Sequence, residues 1–401
     1  MNVFIHPGRA AGRVTAPPSK SMAHRLLICA ALSRGISRIH GLAYNEDILA
    51  TIDCLRALGA DCAVEGDTVT VTGVDMAKAA PSQPLCCRES GSTLRFFIPL
   101  ALLCGKKVRF TGTQKLLSRP LSVYEGLCRE FRCADGVLQV CGSLAGGEFA
   151  LPGDISSQFI TGLLFALPLA EADSRIRITT AVESKSYIDL TLQALAMFGI
   201  KAWWEDGQTL RIPGGQHYCA GDHRVEGDYS GAAFFAALNA LGGAVEIHGL
   251  AENSLQGDRV YAQHMERLCA GCPEIDLSDC PDLGPVLFAV AAAREGGRFT
   301  GTRRLKLKES DRVAAMVSQL EAFGIRAQVE ENAVTLFPGK LSAPTRVLLG
   351  HNDHRIVMAL SVLLTVTGGQ IEGAEAVKKS FPDFFEKLSS LGIRVTTYEG
   401  Q

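Results

Sequence analysis

The chain has no apolar run of the roughly 18–20 residues that a membrane-crossing helix needs, so none is expected in its 401 residues. It also lacks an excess of either charge. Forty Lys and Arg stand against 42 Asp and Glu, a formal net charge of −2, and no global field favours nucleic acid. The opening Met1-Asn2-Val3-Phe4-Ile5-His6-Pro7 has neither the basic start nor the apolar stretch of a signal peptide, and the cytoplasm is the expected location. No paired-cysteine framework is evident: the 13 cysteines are odd in number, and Cys29, Cys54, Cys104 and Cys128 sit within apolar helical patterns, as small hydrophobes do in a reducing compartment. His264, Cys269, Cys272 and Cys280 have zinc-ligand chemistry. Their single Cys-x-x-Cys matches no usual zinc module, so no metal is expected.

What the chain does have is glycine, 41 residues of it, in a repeating arrangement. A helical stretch ends in Leu-Gly or Phe-Gly, and two short alternating strands follow. The pattern appears at Leu58-Gly59, Phe198-Gly199, Phe323-Gly324 and Leu391-Gly392, with degenerate copies near 127–136 and 265–271. Glycine after the last apolar position is a left-handed helix stop. A second helix type, strongly apolar all round, begins at Ser19-Lys20-Ser21, Ser90-Gly91-Ser92, Ser156-Ser157-Gln158, Tyr229-Ser230-Gly231, Pro281-Asp282-Leu283 and Asp353-His354-Arg355. Helices of that kind are buried rather than laid on a surface. The repeat is roughly 65 residues long, and six copies fill the chain. Its mixture of helix and strand predicts an α/β protein of two pseudo-symmetric domains with three units each. Hinges are expected near Pro17-Pro18 and Glu226-Gly227-Asp228, giving residues 1–19 and 227–401 as one domain and 20–226 as the other.

Helix N-termini expose unpaired N–H groups and carry partial positive charge, which suits anions. Several of these starts add hydroxyls and a cation: Lys20, Ser21 and Arg25; Gly91, Ser92 and Arg95; Ser156, Ser157 and Gln158; and Arg355. Each serine alone could be a cap, and each arginine could be solvated or paired along a helix. The recurrence of serine with a cation at equivalent positions favours a phosphate-handling site. Lys306–Arg312 alternates cations and carboxylates before a helix, which a solvated charge run would also explain. Asn352-Asp353-His354-Arg355 packs four polar groups at the mouth of an apolar helix, an arrangement that suits function.

Taken together, the ordered motifs Pro18-Ser19-Lys20-Ser21-x-x-x-Arg25, Ser90-Gly91-Ser92-Thr93-Leu94-Arg95, Ser118-Arg119-Pro120, Ser156-Ser157-Gln158, Ser184-Lys185-Ser186-Tyr187, Gly227-Asp228-Tyr229-Ser230, Lys308-Glu309-Ser310-Asp311-Arg312, Asn352-Asp353-His354-Arg355 and Lys379-Ser380-Phe381-Pro382-Asp383 closely resemble the 5-enolpyruvylshikimate-3-phosphate synthase family over nearly the whole chain. That resemblance implies a two-domain inside-out α/β barrel with three βαβαββ repeats per domain. It implies transfer of the enolpyruvyl group of phosphoenolpyruvate to the 5-hydroxyl of shikimate 3-phosphate by addition and elimination through a tetrahedral adduct, with no cofactor, in a cytoplasmic monomer. Carried over by position, it implies shikimate 3-phosphate contacts at Lys20, Ser21, Arg25, Ser156, Ser157, Gln158, Ser184, Asp282 and Lys308. Phosphoenolpyruvate contacts fall at Lys20, Gly91, Arg119, Gln158, Arg312, Arg355 and Lys379. Asp282 would take the hydroxyl proton, while Lys20 and Glu309 would handle the proton at the methylene carbon. From the residues alone, Asp282 could equally cap the fifth buried helix, and Glu309 could simply pair with Arg312.

Departures from the family pattern are few. Glu89 stands where many members carry asparagine, Phe96 where many carry proline, and Arg304 where some carry a polar site residue. Two other readings compete. The sister transferase that acts on UDP-N-acetylglucosamine typically opens with Lys-Asn and carries a cysteine shortly before Arg-Pro. Here Lys20-Ser21 and the cysteine-free Thr113–Ser118 speak against it. A non-catalytic phosphate-binding protein would not need Lys20, Asp282 and Glu309 together.

Overall fold

The structure, a computed structural model, describes residues 1–398. Its contacts divide the chain into two units. One comprises Met1–Pro17 with Gly227–Gln401, the other Pro18–Glu226. Each has its own continuous apolar core.

Five four-stranded sheets share one pattern. A parallel neighbour precedes a central strand, and two antiparallel strands follow. In the Pro18–Glu226 unit the first sheet runs Asp222–Arg224, Ile36–His40, Thr68–Thr72, Asp61–Glu65. The second runs Leu85–Cys86, Val108–Thr111, Val137–Cys141, Glu130–Ala134. The third runs Gly147–Leu151, Ser174–Ile178, Thr209–Ile212, Trp203–Trp204. The other unit repeats the pattern over Glu274–Asp276, Gly297–Thr300, Ala333–Leu336 and Ala327–Val329. Its next sheet runs Leu348–Leu349, Gly369–Glu372, Asn2–Ile5, Val395–Tyr398, with the chain's first strand between two of its last. The sixth is reduced to Ala244–His248 parallel to Ala11–Thr15.

The apolar helices lie inside. In Lys20–Leu32 every residue from Met22 onward is buried, and in Gly284–Ala293 every residue through Ala292 is. Sequences this apolar on all faces can satisfy their backbones internally and offer no face to water, so they form each unit's centre while the sheets present alternate residues outward. Gly59 ends the Glu46–Leu58 helix in the left-handed conformation at φ 106°, as the glycine pattern predicts. The degenerate copy near residue 127 departs from it. Ser122–Leu127 is a short 3-10 turn with Gly126 inside, and a strand begins at Glu130.

Two of the inner helices approach especially closely. A methyl group on Gly162 would come within 2.5 Å of Tyr124 Oη and 2.6 Å of the Arg95 carbonyl oxygen. Buried Tyr124 lies 2.9 Å from both the Arg95 and Phe159 carbonyls, to which its hydroxyl donates, pinning the Gly91–Leu103 helix to the Ser157–Ala166 helix.

Candidate active site

The site residues expected from sequence divide between the units. In the Pro18–Glu226 unit the starts of three buried helices are tied into a ring of hydrogen bonds. His24 on the first helix meets Thr51 at 2.7 Å, and Thr51 meets Thr93 on the second at 2.8 Å. Ser92 accepts from Gln158 Nε2 at 2.8 Å, and Arg95 Nη1 donates to Gln158 Oε1 at 2.7 Å, joining the second helix to the third. Thr161 on the third meets Thr191 at 3.0 Å, and Arg25 Nε donates to Thr191 at 2.9 Å, returning to the first. The three helix tips are thereby fixed at one end of the unit, with their first-turn N–H groups and nearby cations together.

The caps are not all the serines expected. Ser19 accepts from Met22 N and Ser90 from Thr93 N, so Ser21 and Ser92 are not caps. Ser156 does cap, through Gln158 N. Arg25 is neither solvated nor paired with a carboxylate. It is 3% exposed, donates to the Ser21 and Tyr187 carbonyls at 2.6 and 2.9 Å, and burial lowers its pKa to about 10. Ser184 is buried and left-handed at φ 54°, directly before the Lys185–Met197 helix. Lys20 Nζ pairs with Asp47 at 2.7 Å. Sequence reasoning missed Asp47, whose only signal was its place in the first turn of the Glu46–Leu58 helix. Arg119 lies over Gly91: a methyl there would be 2.6 Å from Arg119 Nη1. The Arg119 Nε is buried with no hydrogen-bond partner among the described residues.

In the other unit, Asp282, Lys308, Glu309, Arg312 and Arg355 form one ion cluster. Asp282 does not cap its helix, since Leu283 holds that position without a side-chain bond. Instead Asp282 Oδ1 faces Arg312 Nη1 at 2.9 Å and Lys308 Nζ at 3.4 Å, while Oδ2 faces Arg355 Nη2 at 2.9 Å. Arg312 is 1% exposed, and its three nitrogens meet Asp353 (2.9 Å), Asp282 and Glu309 (2.7 Å). Both the helical pairing of Glu309 with Arg312 and the gathering of acids around one guanidinium are therefore present. Burial would lower the Arg312 pKa, but Asp353, Glu309 and Asp282 raise it above the ordinary arginine value. Arg355 Nη2 also donates to Ser230 at 3.0 Å, so this arginine ties the starts of the fourth, fifth and sixth buried helices. Lys379 donates to the Asn352 carbonyl at 2.7 Å.

Three acids (Asp282, Glu309, Asp353) thus face three cations (Lys308, Arg312, Arg355). Lys308 has its pKa lowered to about 8, mainly by burial. Asp282 and Glu309 oppose the fall, and Arg312 and Arg304 add to it. Asp353 was legible only as part of a motif. It is fully buried, accepts from Arg355 N as the helix cap, and takes Ser310 Oγ at 3.0 Å besides Arg312. Lys306–Arg312 is therefore no solvated run: Arg304 before it and Arg312 within it are buried, and Lys308 is half-buried. Among the described residues no group of three His, Cys, Asp or Glu could hold a metal ion, and Cys269 and Cys272 are exposed. No helix among them is long and apolar enough to cross a membrane.

Comparison with known proteins shows the family. A family model described as EPSP synthase (3-phosphoshikimate 1-carboxyvinyltransferase) matches residues 5–388. The chain is 40% identical over 419 residues to a 3-phosphoshikimate 1-carboxyvinyltransferase of Clostridium botulinum, covering 97% of this chain and 96% of that one. It is 39% identical to one of the same name from Clostridium kluyveri, covering 97% of each. Among solved structures, an EPSP synthase from Acinetobacter baumannii superposes with a TM-score of 0.80 at 24% identity, over 99% of this chain and all of that one, a likeness of fold.

Proposed function

From the premise that this chain belongs to the EPSP synthase family, we propose how its residues divide the work. The protein is a transferase that moves the enolpyruvyl group of phosphoenolpyruvate to shikimate 3-phosphate, in the shikimate route to aromatic amino acids. In this reading Ser21, Arg25, Ser156, Ser157, Gln158 and Ser184 receive shikimate 3-phosphate, with Asp282 and Lys308 at its reacting edge. Helix-tip N–H groups and a buried arginine suit a phosphate dianion. Arg119 beside Gly91, together with Lys20, Gln158, Arg355 and Lys379, receives phosphoenolpyruvate. Arg312, enclosed by acids, serves phosphoenolpyruvate chiefly by fixing Asp282 and Glu309 around it.

Asp282 accepts the 5-hydroxyl proton as that oxygen attacks the enol carbon, while Lys20 or Glu309 delivers a proton to the methylene carbon. Loss of phosphate from the tetrahedral adduct, with the methyl proton returned to one of these groups, restores the enol ether. The incoming phosphate and carboxylate compete with Asp282 for Arg355 and Lys308, so ligand binding frees carboxylate lone pairs for proton transfer. Preorganised cations then stabilise the charge that develops. The same reading carries a cytoplasmic monomer that needs neither metal nor organic cofactor.

The observation that carries these roles is Asp282, bracketed by Lys308, Arg312 and Arg355 within 3.4 Å. The test is phosphate release from phosphoenolpyruvate with shikimate 3-phosphate, comparing the intact protein with Asp282→Ala. The variant should still bind shikimate 3-phosphate and turn over roughly 10²- to 10⁴-fold more slowly. Undiminished turnover would remove Asp282 from the chemistry.

A further inference from the structure

Arg304 is buried, 4% exposed, on the short 3-10 turn Arg303–Leu307 that ends at Lys308. A buried arginine on so short a turn needs a reason, because its desolvation must be offset locally. Its Nη2 donates to the Ser278 carbonyl at 3.3 Å. Ser278 is itself held by Asp276, whose Oδ1 accepts from Ser278 N at 2.9 Å and Ser278 Oγ at 2.6 Å. Four residues on, the same loop carries Asp282.

Two neighbours of Arg304 reach the same loop. Leu305 packs against the first residue of the following helix, where a methyl on Gly284 would be 3.0 Å from Leu305 Cδ1. Lys308 Nζ lies 3.4 Å from Asp282 Oδ1. One turn therefore grips residues 278–284 at three points: a carbonyl, a backbone surface and a carboxylate.

We propose that Arg304 is a positioning residue for enolpyruvyl transfer, holding the Ser278–Asp282 loop against the turn before Lys308 and biasing how firmly Lys308 holds Asp282. The proposal rests on the roles given above to Asp282 and Lys308. Arg304 also adds positive charge near the Lys308 ammonium, alongside Arg312, whereas Asp282 and Glu309 oppose it. In the same cluster Asp353 pairs with Arg312 and Arg355 with Asp282, while Asp258, Asp276 and Asp279 bear on the loop at Cys280. An arginine in this place makes Lys308 easier to deprotonate, so it loosens the lysine's hold on Asp282 as pH rises.

The test is the pH profile of kcat/KM for the intact protein, Arg304→Lys, Arg304→Met and Arg304→Gln. Activity of the intact protein should fall above about pH 8 as Lys308 loses its proton. Removing the charge in Arg304→Met or Arg304→Gln should move that fall to higher pH, because Arg304 is one of the cations that make Lys308 easier to deprotonate. Turnover in these two should drop several-fold, as the loop loses its tether. Arg304→Lys should keep the position of the fall but lose part of the rate. If the uncharged variants keep the wild-type limb, whether or not they melt earlier, the proposal is overturned. If only one of them folds, its limb decides. Lys308→Met separates the two levels: a basic limb that survives in it would mean the limb does not belong to Lys308, and the role given to Lys308 would fail instead.

Discussion

Gly91→Ala tests whether Arg119 receives phosphoenolpyruvate. Gly91 is the first residue of its helix, where alanine is conformationally acceptable. The added methyl would sit 2.6 Å from Arg119 Nη1, 3.1 Å from Cζ and 3.4 Å from Nη2. Ordinary contact begins at 3.4 Å, so the guanidinium must retreat by about 0.8 Å. Its flexible side chain can move that far at little cost in stability. The penalty should instead fall on the ligand. A charge-assisted hydrogen bond is worth about 1.5–3 kcal/mol, and losing half of a strong one raises KM for phosphoenolpyruvate by roughly tenfold. Steady-state phosphate release at saturating shikimate 3-phosphate reads this directly. The KM for shikimate 3-phosphate should stay within about twofold and the melting temperature should not fall. In an Arg119→Met background the same glycine change should cost little, because its collision partner is gone. An unchanged KM for phosphoenolpyruvate in Gly91→Ala, or equal losses in both backgrounds, would refute the assignment.

The buried acids and the packed helices give further expectations. Asp353→Ala leaves the fully buried Arg312 short of one carboxylate and removes a helix cap, so urea unfolding should show a loss of roughly 3–5 kcal/mol. Burial alone would raise the Asp353 pKa, but Arg312 holds it below the ordinary 3.8. Its contribution is therefore complete above pH 3.8 and is lost as pH falls through the lower folded value. The difference between intact protein and Asp353→Asn should be constant near neutrality and close only in that acid range. Gly162→Ala should destabilise by roughly 1–3 kcal/mol in a thermal melt, because the Arg95 carbonyl, unlike a side-chain tip, cannot step aside.

Helix starts and glycine stops were legible in the sequence because they are local. Ser19 and Ser90 cap, for example, because each lies three residues before an amide it can reach. The sixfold recurrence was legible in the six buried helices, while only five of its sheets have all four strands among the described residues. The identity of the cluster's partners was not legible. Asp47 for Lys20 and Asp353 for Arg312 lie 27 and 41 residues away, and only the packing of separate helices brings them together. For the same reason the sequence left Asp282 balanced between cap and catalyst, whereas its three cationic neighbours come from two other segments. The weak second repeat keeps its two strands, Glu130–Ala134 and Val137–Cys141, and replaces the helix before them with the 3-10 turn Ser122–Leu127.

The placement of Asn2–Ile5 between Gly369–Glu372 and Val395–Tyr398 has a consequence for biosynthesis. As the nascent polypeptide leaves the ribosome, Pro18–Glu226 contains every strand of its own sheets and can mature early. Asn2–Ile5 must wait until Val395–Tyr398 has emerged, almost 400 residues later. Long-range closure of this kind is slow, and the waiting strand exposes unpaired edges. A refolding time course should accordingly show the Pro18–Glu226 half gaining hydrogen-exchange protection first.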